Sequence, residues 1–434
     1  MSILPVSVLD YMSERTILIW FRNDLRIRDN EVLFEAARRA DRVIPVYCFD
    51  PRYFGKTEFG TQKTGLLRAR FLIESVRNLR SSLRRLGGGL LVRRGKPEDI
   101  LPDLCNEYQV SEVYHHREVG PEETAISARV EASLWKRQIN LRHFIGHTLY
   151  HKEDLPFPIR NIPDNFSIFR KKIERDSLVR PCFDTPVRLV LPDGLVEDEL
   201  PELKDLGFQI RERHDVLLAQ FIGGEDEGLK RLDNLLAQTS HNSKANRSAA
   251  SKLSPWLSTG CISSREVYWL TERHKKTAPE LHSRVIVELL WRDYYRFMLK
   301  KHGSVLAQAG EAATELNKRM QKKFLNWCEG TTGDQLTDAC MKELNSTGYI
   351  TDISRQYAAS YLVNDLGVSW RVGSAYFEQQ LLDFSPATNL GSWASVLGSK
   401  IITWNKNISY KFEDVAREED LWKWFPEQGS SSVA

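Results

Sequence analysis

The sequence predicts a two-part protein, a doubly wound parallel α/β domain followed by an all-α domain. Three observations carry that prediction. Over residues 14–150 short apolar runs alternate with amphipathic stretches, from about 206 onward apolar residues recur only at helical spacing, and nine of the eleven tryptophans lie after residue 250. Strand, helix and strand repeated in this order are the mark of right-handed βαβ units. The strand candidates are TILIWF, VIPVYCF, GLLVRRG, EVYHH and LRHFIG. Between them the periodicity predicts helices over about Asn30 to Arg39, Gly65 to Leu86 and Pro97 to Tyr108, with a fourth before LRHFIG. Gly87, Gly88 and Gly89 follow the second helix where a C-cap and turn belong. Residues 151–205 carry seven prolines and little periodicity, which predicts a connector running over the surface. LKRLDNLL, SREVYWLTERH, SRVIVELLWRDYYRFML and RQYAASYLVNDL then predict helices through a domain spanning 206–428, before a small polar tail at 429–434.

Composition narrows the function classes. At 434 residues, 41% hydrophobic and 27% charged, the chain can bury a large core, which excludes disorder as its main state. It has no run of about 18 apolar residues, so no membrane-spanning helix is expected. A net charge of +3 is too small to specify a polyanionic partner. The six cysteines are scattered without a C-x-x-C pair, which reads as reduced thiols. The opening MSILPVSVLDYMSER is too short and acidic for a leader peptide, so a cytoplasmic location is expected.

Several local signals fail on physical grounds. Gly55-Lys56-Thr57 resembles the end of a phosphate-binding loop, but Asp50 stands where its first glycine should be. His143, His147 and His151 are four apart, yet Gly146 and the strand-like HFIGHTLY argue against one helix presenting them to a metal, and no metal is expected. What survives is a helix face. Glu288, Trp291, Arg292 and Tyr295 are spaced i, i+3, i+4 and i+7, so a carboxylate, an indole, a guanidinium and a phenol share one side. The competing reading is a salt-bridged helix with a half-buried Trp. Ser251, Lys252 and Ser254 before a helix could offer hydroxyls, an ammonium and free N–H groups to a phosphate. Asp383 could pair with Arg355, and the Asn389 amide can donate and accept. Together these suit a large, flat, phosphate-bearing cofactor.

WFRNDLRIRDNEVL (20–33), PVYCFDPRYFG (45–55), KTGLLRARFLIES (63–75), KLSPWLSTGCIS (252–263), ELLWRDYYRF (288–297) and the stretch from LNSTGY to LLDFSPATN (344–389) resemble the photolyase/cryptochrome family. FDPRYFG, HTLYHKEDLPF (147–157) and VRPCF (179–183) are most similar to its DASH cryptochromes. The resemblance implies FAD in the helical domain and blue-light repair of cyclobutane pyrimidine dimers flipped from DNA, single-stranded DNA being favoured, by a monomer. The alternative it allows is a photoreceptor that signals through a partner without repair. By matching position, Ser251, Lys252, Leu253 and Ser254 would lie at the FAD phosphates and Arg292 beside the cofactor. Arg355 and Asp383 would form an ion pair over the isoalloxazine, with Asn389 facing its reactive nitrogen. Glu288 would hydrogen-bond the dimer and Trp291 stack on it.

Trp393 and Trp370 match the proximal and middle members of the family's electron relay. The neighbourhood of the distal member, 315–324, has no Trp or Tyr, and the nearby Trp327 matches a core position. The α/β domain of the family can hold an antenna such as the folate 5,10-methenyltetrahydrofolate, and Glu118 falls near the expected antenna-binding acid. As a loop residue it reads more simply as an exposed carboxylate. Arg170-Lys171-Lys172, Lys300-Lys301 and Lys322-Lys323 could meet DNA phosphates or be solvated helix ends. The chain departs from the family at Asp352 and Ile353, where an Asn-Arg pair is usual, at Ser385, and in the segment after Trp393.

Overall fold

The computed structural model describes residues 14–209, 220–239, 250–303 and 316–396. β1 (Thr16–Phe21), β2 (Arg42–Phe49), β3 (Leu91–Arg94), β4 (Glu112–His116) and β5 (Asn140–Phe144) form one parallel sheet in the order β3-β2-β1-β4-β5. In the central strand every residue is buried, as a parallel strand covered on both faces requires. Alternate residues serve the two faces. Ile17, Ile19 and Phe21 pack on the side of α1 (Glu31–Arg39) and α2 (Leu66–Arg85). Leu18 and Trp20 pack with Leu101, Leu104, Ile126 and Val130 of α3 (Pro97–Glu107) and α4 (Pro121–Trp135). Strand pairing such as Ile17 with Val43 and with Glu112 fixes this alternation, since a one-residue slip would invert every side chain.

The segment 151–205 is less irregular than its prolines suggest, because α5 (Phe166–Asp176) forms within it. Asn165 accepts the Ile168 N–H as its cap, and Phe169 and Ile173 are buried. The helical part comprises α6 (Glu225–Thr239), α7 (Ser254–Ser258), α8 (Ser264–Arg273), α9 (Pro279–His302), α10 (Lys318–Glu329), α11 (Gln335–Thr347), α12 (Asp352–Ser360), α13 (Trp370–Gln380) and α14 (Pro386–Val396). Among the described residues no helix is long and apolar enough to cross a membrane.

The two parts share one apolar core, which runs from the α1/α2 face of the sheet into Leu253, Trp256, Leu289 and Tyr294. Buried carboxylates lock the seam. Arg265 donates twice to Asp29, at 2.7 and 2.9 Å, and Glu225 accepts the N–H groups of Ile27 and Arg28 at 3.0 Å each. Asp293 on α9 accepts from the N–H groups of Leu149 and Tyr150 at 3.0 and 3.1 Å. Burial nevertheless lifts Asp293 to about 7, because the two N–H donors and the Arg292 and Arg296 charges together return less than the lost solvation.

Candidate cofactor site

The predicted face of α9 lines a cavity of about 270 Å³. Glu288, Trp291, Arg292 and Tyr295 all reach it, opposite the 251–254 loop and the start of α12. Within the loop Lys252 has φ +56, a left-handed conformation rare for a side chain larger than glycine. Leu253 follows in the right-handed region at φ −88, ψ −13. Left-handed then right-handed residues turn successive N–H groups toward one side, a shape suited to an anion, although the Leu253 N–H already donates to Ser251 Oγ at 3.3 Å.

Arg355, in α12, donates from Nη2 to Asp383 Oδ2 at 2.7 Å, with both residues buried. The Ser254 hydroxyl donates to the same oxygen at 2.6 Å, joining the loop to the ion pair. Tyr349 lies beneath, its ring 5.6 Å from the Arg355 guanidinium and 5.9 Å from Lys252 Nζ. Burial would weaken the positive charge of Arg355, but Asp383 and Asp352 more than offset it and raise the group above its ordinary value. Arg292 has no carboxylate of its own. It donates to the His147 and Leu257 carbonyls and to Ser264 Oγ, and desolvation lowers it to about 10.

Glu288 accepts from the Ser251 N–H and hydroxyl, and burial raises its carboxyl above the usual range. Phe166 of α5 stacks on Trp291 with ring centres 3.4 Å apart and planes at 9°, although Phe166 does not line the cavity. It therefore backs the indole, while Tyr295 stacks more loosely at 5.5 Å. Asn389 donates from Nδ2 to the backbone carbonyl and hydroxyl of Ser374. Asp352, Ile353 and Ser385, the departures noted in the sequence, all sit on the cavity wall.

Trp393 is 1% exposed and touches Phe377, and among the described residues its Nε1 has no hydrogen-bond partner. Trp370, at the start of α13, lies under the Arg371 guanidinium. Trp327 is buried, donates to the Ala358 carbonyl at 2.9 Å and stacks on Phe377 from the other side. The segment after Trp393 lies outside the described residues from 397 onward. Among the described residues two buried atoms on the adjoining walls, Asp383 Oδ1 and Trp393 Nε1, lack partners, and the Lys252 turn shares a cavity with Asp383. That donor and acceptor set fits a flat, hydrogen-bonding, phosphate-bearing group such as FAD.

A second cavity of about 650 Å³ opens between the strand ends of the α/β sheet and the helices, walled in part by Trp20, Tyr53, Phe54, Glu118 and Glu123. Glu118 is not the exposed loop carboxylate its position suggested. It is 6% exposed because the loop after β4 folds inward against α9. Arg296 Nη2 and Asn23 Nδ2 donate to it at 3.0 and 2.9 Å, and His147 Nε2 lies 3.3 Å away. Burial alone would raise Glu118, but the fields of His147, Arg296 and Arg22 reverse this and hold it below the usual carboxylate range; because burial drives His147 itself well below its ordinary value and leaves it neutral, Arg296 is the standing counter-charge. Of these neighbours Glu123 has only Arg22 to lower it. Desolvation and the Glu118 charge push it up to about 7, and its Oε2 has no partner.

Arg296 and Glu123 escaped the sequence reading. Arg296 was within its reach, since it continues the face of Glu288 and Arg292 by another i+4 step. Two basic clusters also change meaning. Lys301 is tied to Asp164 and the Ile162 carbonyl, and Lys323 to the Leu366 carbonyl, so both are internal tethers. Lys171 and Lys172 remain exposed, beside an Arg170–Glu174 pair.

Family models agree with this two-part layout. One described as DNA photolyase matches residues 17–193, and one for the FAD binding domain of DNA photolyase matches 285–420. Cryptochrome DASH of Gloeobacter violaceus is 41% identical over 399 residues, covering 89% of this chain and 80% of that protein. The chain belongs to the cryptochrome DASH family. Its fold follows suit, for the crystal structure of a Synechocystis sp. PCC6803 cryptochrome superposes with a TM-score of 0.85 at 35% identity, over 98% of this chain and 89% of that one. An archaeal photolyase from Sulfolobus tokodaii, described with two FAD molecules and a novel light-harvesting cofactor, superposes at 0.74 with 26% identity, over 94% and 87%. This family member thus carries a photolyase-type FAD-binding domain, whose matched residues include the α9 face and the Arg355–Asp383 pair.

Proposed function

We propose that this chain is a blue-light photolyase that splits cyclobutane pyrimidine dimers, preferentially in single-stranded DNA, as a cytoplasmic monomer with a folate antenna in the larger cavity. The observation that carries the reading is the α9 face. Glu288 and Trp291 stand on the same wall as the Arg355–Asp383 pair, so a base drawn into the cavity meets a carboxyl, an indole and the cofactor site together. FAD held between the Arg355–Asp383 pair and the 251–254 loop would supply light-driven one-electron chemistry to the dimer. The protein's part is to receive the base: Trp291, braced by Phe166, offers a stacking plane, and Glu288 turns from Ser251 to the base edge. Single strands are favoured because extruding an unpaired base costs less. Ser251 to Ser254 would hold the pyrophosphate in the Lys252 turn, and Asn389 would face the flavin ring. Trp393 and Trp370 would return electrons to oxidised flavin. Glu118 and Glu123 would read the hydrogen-bonding edge of the folate; the buried carboxyls on the wall of the larger cavity support that reading.

The test is light-driven repair of a dimer-containing oligothymidylate. Trp291→Ala should weaken dimer binding by about 1–3 kcal/mol, the worth of one aromatic stacking platform, with flavin content unchanged. Trp393→Phe should slow photoreduction and leave dimer binding alone. A second reading, a photoreceptor without repair, is favoured by Glu288 being engaged by Ser251. A yellow protein that photoreduces but neither prefers nor repairs dimer-containing strands would establish it instead.

A further inference from the structure

The two cavities meet at one charged side chain. Ser258, Arg296 and Ser385 belong to both walls, and of these Arg296 alone is charged. Its guanidinium is committed to the larger cavity through Glu118, 3.0 Å away, and both residues are more than nine-tenths buried. The same carboxylate is held by Asn23 and stands beside His147, whose carbonyl accepts from Arg292 on the cofactor wall. Charge at Glu118 therefore reaches the cofactor pocket through Arg296 directly, and through His147 and Arg292 by a second route.

We propose that the Arg296–Glu118 pair couples the two sites, so that a ligand giving N–H donors to Glu118 tightens FAD binding, and FAD tightens that ligand by the same factor. The inference rests on the reading that FAD fills the smaller cavity and a flat heteroaromatic with N–H donors fills the larger. While Arg296 is the main counter-charge of Glu118, its field at the cofactor pocket is largely cancelled. N–H donors from a second ligand spread the carboxylate's charge over more partners, which uncovers the guanidinium. FAD brings a doubly charged pyrophosphate, and in a buried setting little solvent screens the gain. In reverse, FAD draws on Arg296 and leaves Glu118 short of a partner, which the second ligand supplies. Reciprocity is a thermodynamic requirement, and couplings of this kind span about 5- to 150-fold.

The experiment titrates the full chain, stripped of flavin, with FAD in the absence and presence of saturating folinic acid, and then titrates folinic acid with and without FAD. Each ligand should tighten the other about tenfold, and the two factors should agree. Glu118→Gln imitates the occupied state by removing the charge, so it should tighten FAD several-fold without folinic acid and abolish any further gain. Asn23→Ala acts in the opposite sense, since Glu118 then leans harder on Arg296 and FAD should bind more weakly. Unchanged or reversed FAD affinity in these variants, with circular dichroism matching the parent, overturns the coupling. If Glu118→Gln fails to fold, the Asn23→Ala result decides alone. Should folinic acid not bind the parent while the variants shift FAD as stated, the folate reading fails and the coupling stands.

Discussion

In the smaller cavity each carboxyl in the cradle has a partner on at least one oxygen and Arg355 has a counter-charge, whereas the larger cavity holds a carboxyl, Glu123, that only the Arg22 charge opposes. In the first, Arg355 meets Asp383, Ser254 adds a donor to the same oxygen, and Ser251 satisfies Glu288. In the second, Glu118 is surrounded by donors, but Glu123, five residues on, has none for its Oε2. The contrast separates two ways of building a site. Matched charges make a rigid cradle whose shape survives without its ligand, and an unmatched buried group leaves a free-energy deficit that a ligand or a proton can relieve.

The largest expected effect breaks the matched side. Asp383→Leu strands the Arg355 guanidinium in an apolar wall and should cost about 3–5 kcal/mol, read as a lower denaturant midpoint together with lost flavin. Pairing it with Arg355→Met should restore most of the stability but none of the flavin binding, because two apolar groups fill the space without the charges. If the single and double variants unfold at the same denaturant concentration, the pair is not the closed unit described.

The unmatched side predicts a pH dependence. Glu123 titrates near 7 in the folded chain against about 4.3 in an unfolded one, so between these values the native state binds the extra proton. Its contribution is fully present below about pH 4, falls as pH rises to 7, and reaches a deficit of about 4 kcal/mol above it. Glu123→Gln should therefore be more stable than the parent at pH 8 and indistinguishable from it at pH 4. Asp293 and Glu225, also near 7, add slopes of the same sign that the variant leaves in place. A constant offset between variant and parent across this range would show that Glu123 is not the titrating group.

The same contrast marks what could be read from the chain. The sheet was legible because TILIWF and VIPVYCF are buried on both faces and say so in every residue. The shared wall of the smaller cavity was legible because Glu288, Trp291, Arg292 and Tyr295 lie on one helix at a fixed period, and the DASH resemblance followed from contiguous blocks. Glu118 was misjudged because its burial comes from residues far along the chain, Arg296 being 178 positions away. Helix α5 was hidden by the prolines around it, although Phe166, Phe169 and Ile173 have helical spacing and find their partners on α9. Periodicity reports a face, and it is silent on which distant face covers it.

The smallest expected effect sharpens the cradle itself. Lys252 holds a left-handed backbone at φ +56, which costs a residue with a Cβ about 1–2 kcal/mol and costs glycine almost nothing. Its ammonium also stands 5.9 Å from the Tyr349 ring, at the mouth of the concavity read as the phosphate site. Two substitutions separate these roles. Lys252→Ala keeps the strain and removes the ammonium, so its loss of FAD affinity measures the charge alone. Lys252→Gly removes both, and by comparison with Lys252→Ala should be more stable by about 1 kcal/mol, part of the strain relief being offset by the greater freedom of glycine in the unfolded chain. The two variants should share the same weakened FAD affinity if the turn keeps its shape. If Lys252→Gly instead binds FAD less well than Lys252→Ala, the side chain's constraint is what aims the N–H groups at the anion. The strain is then part of how the matched cavity keeps its form.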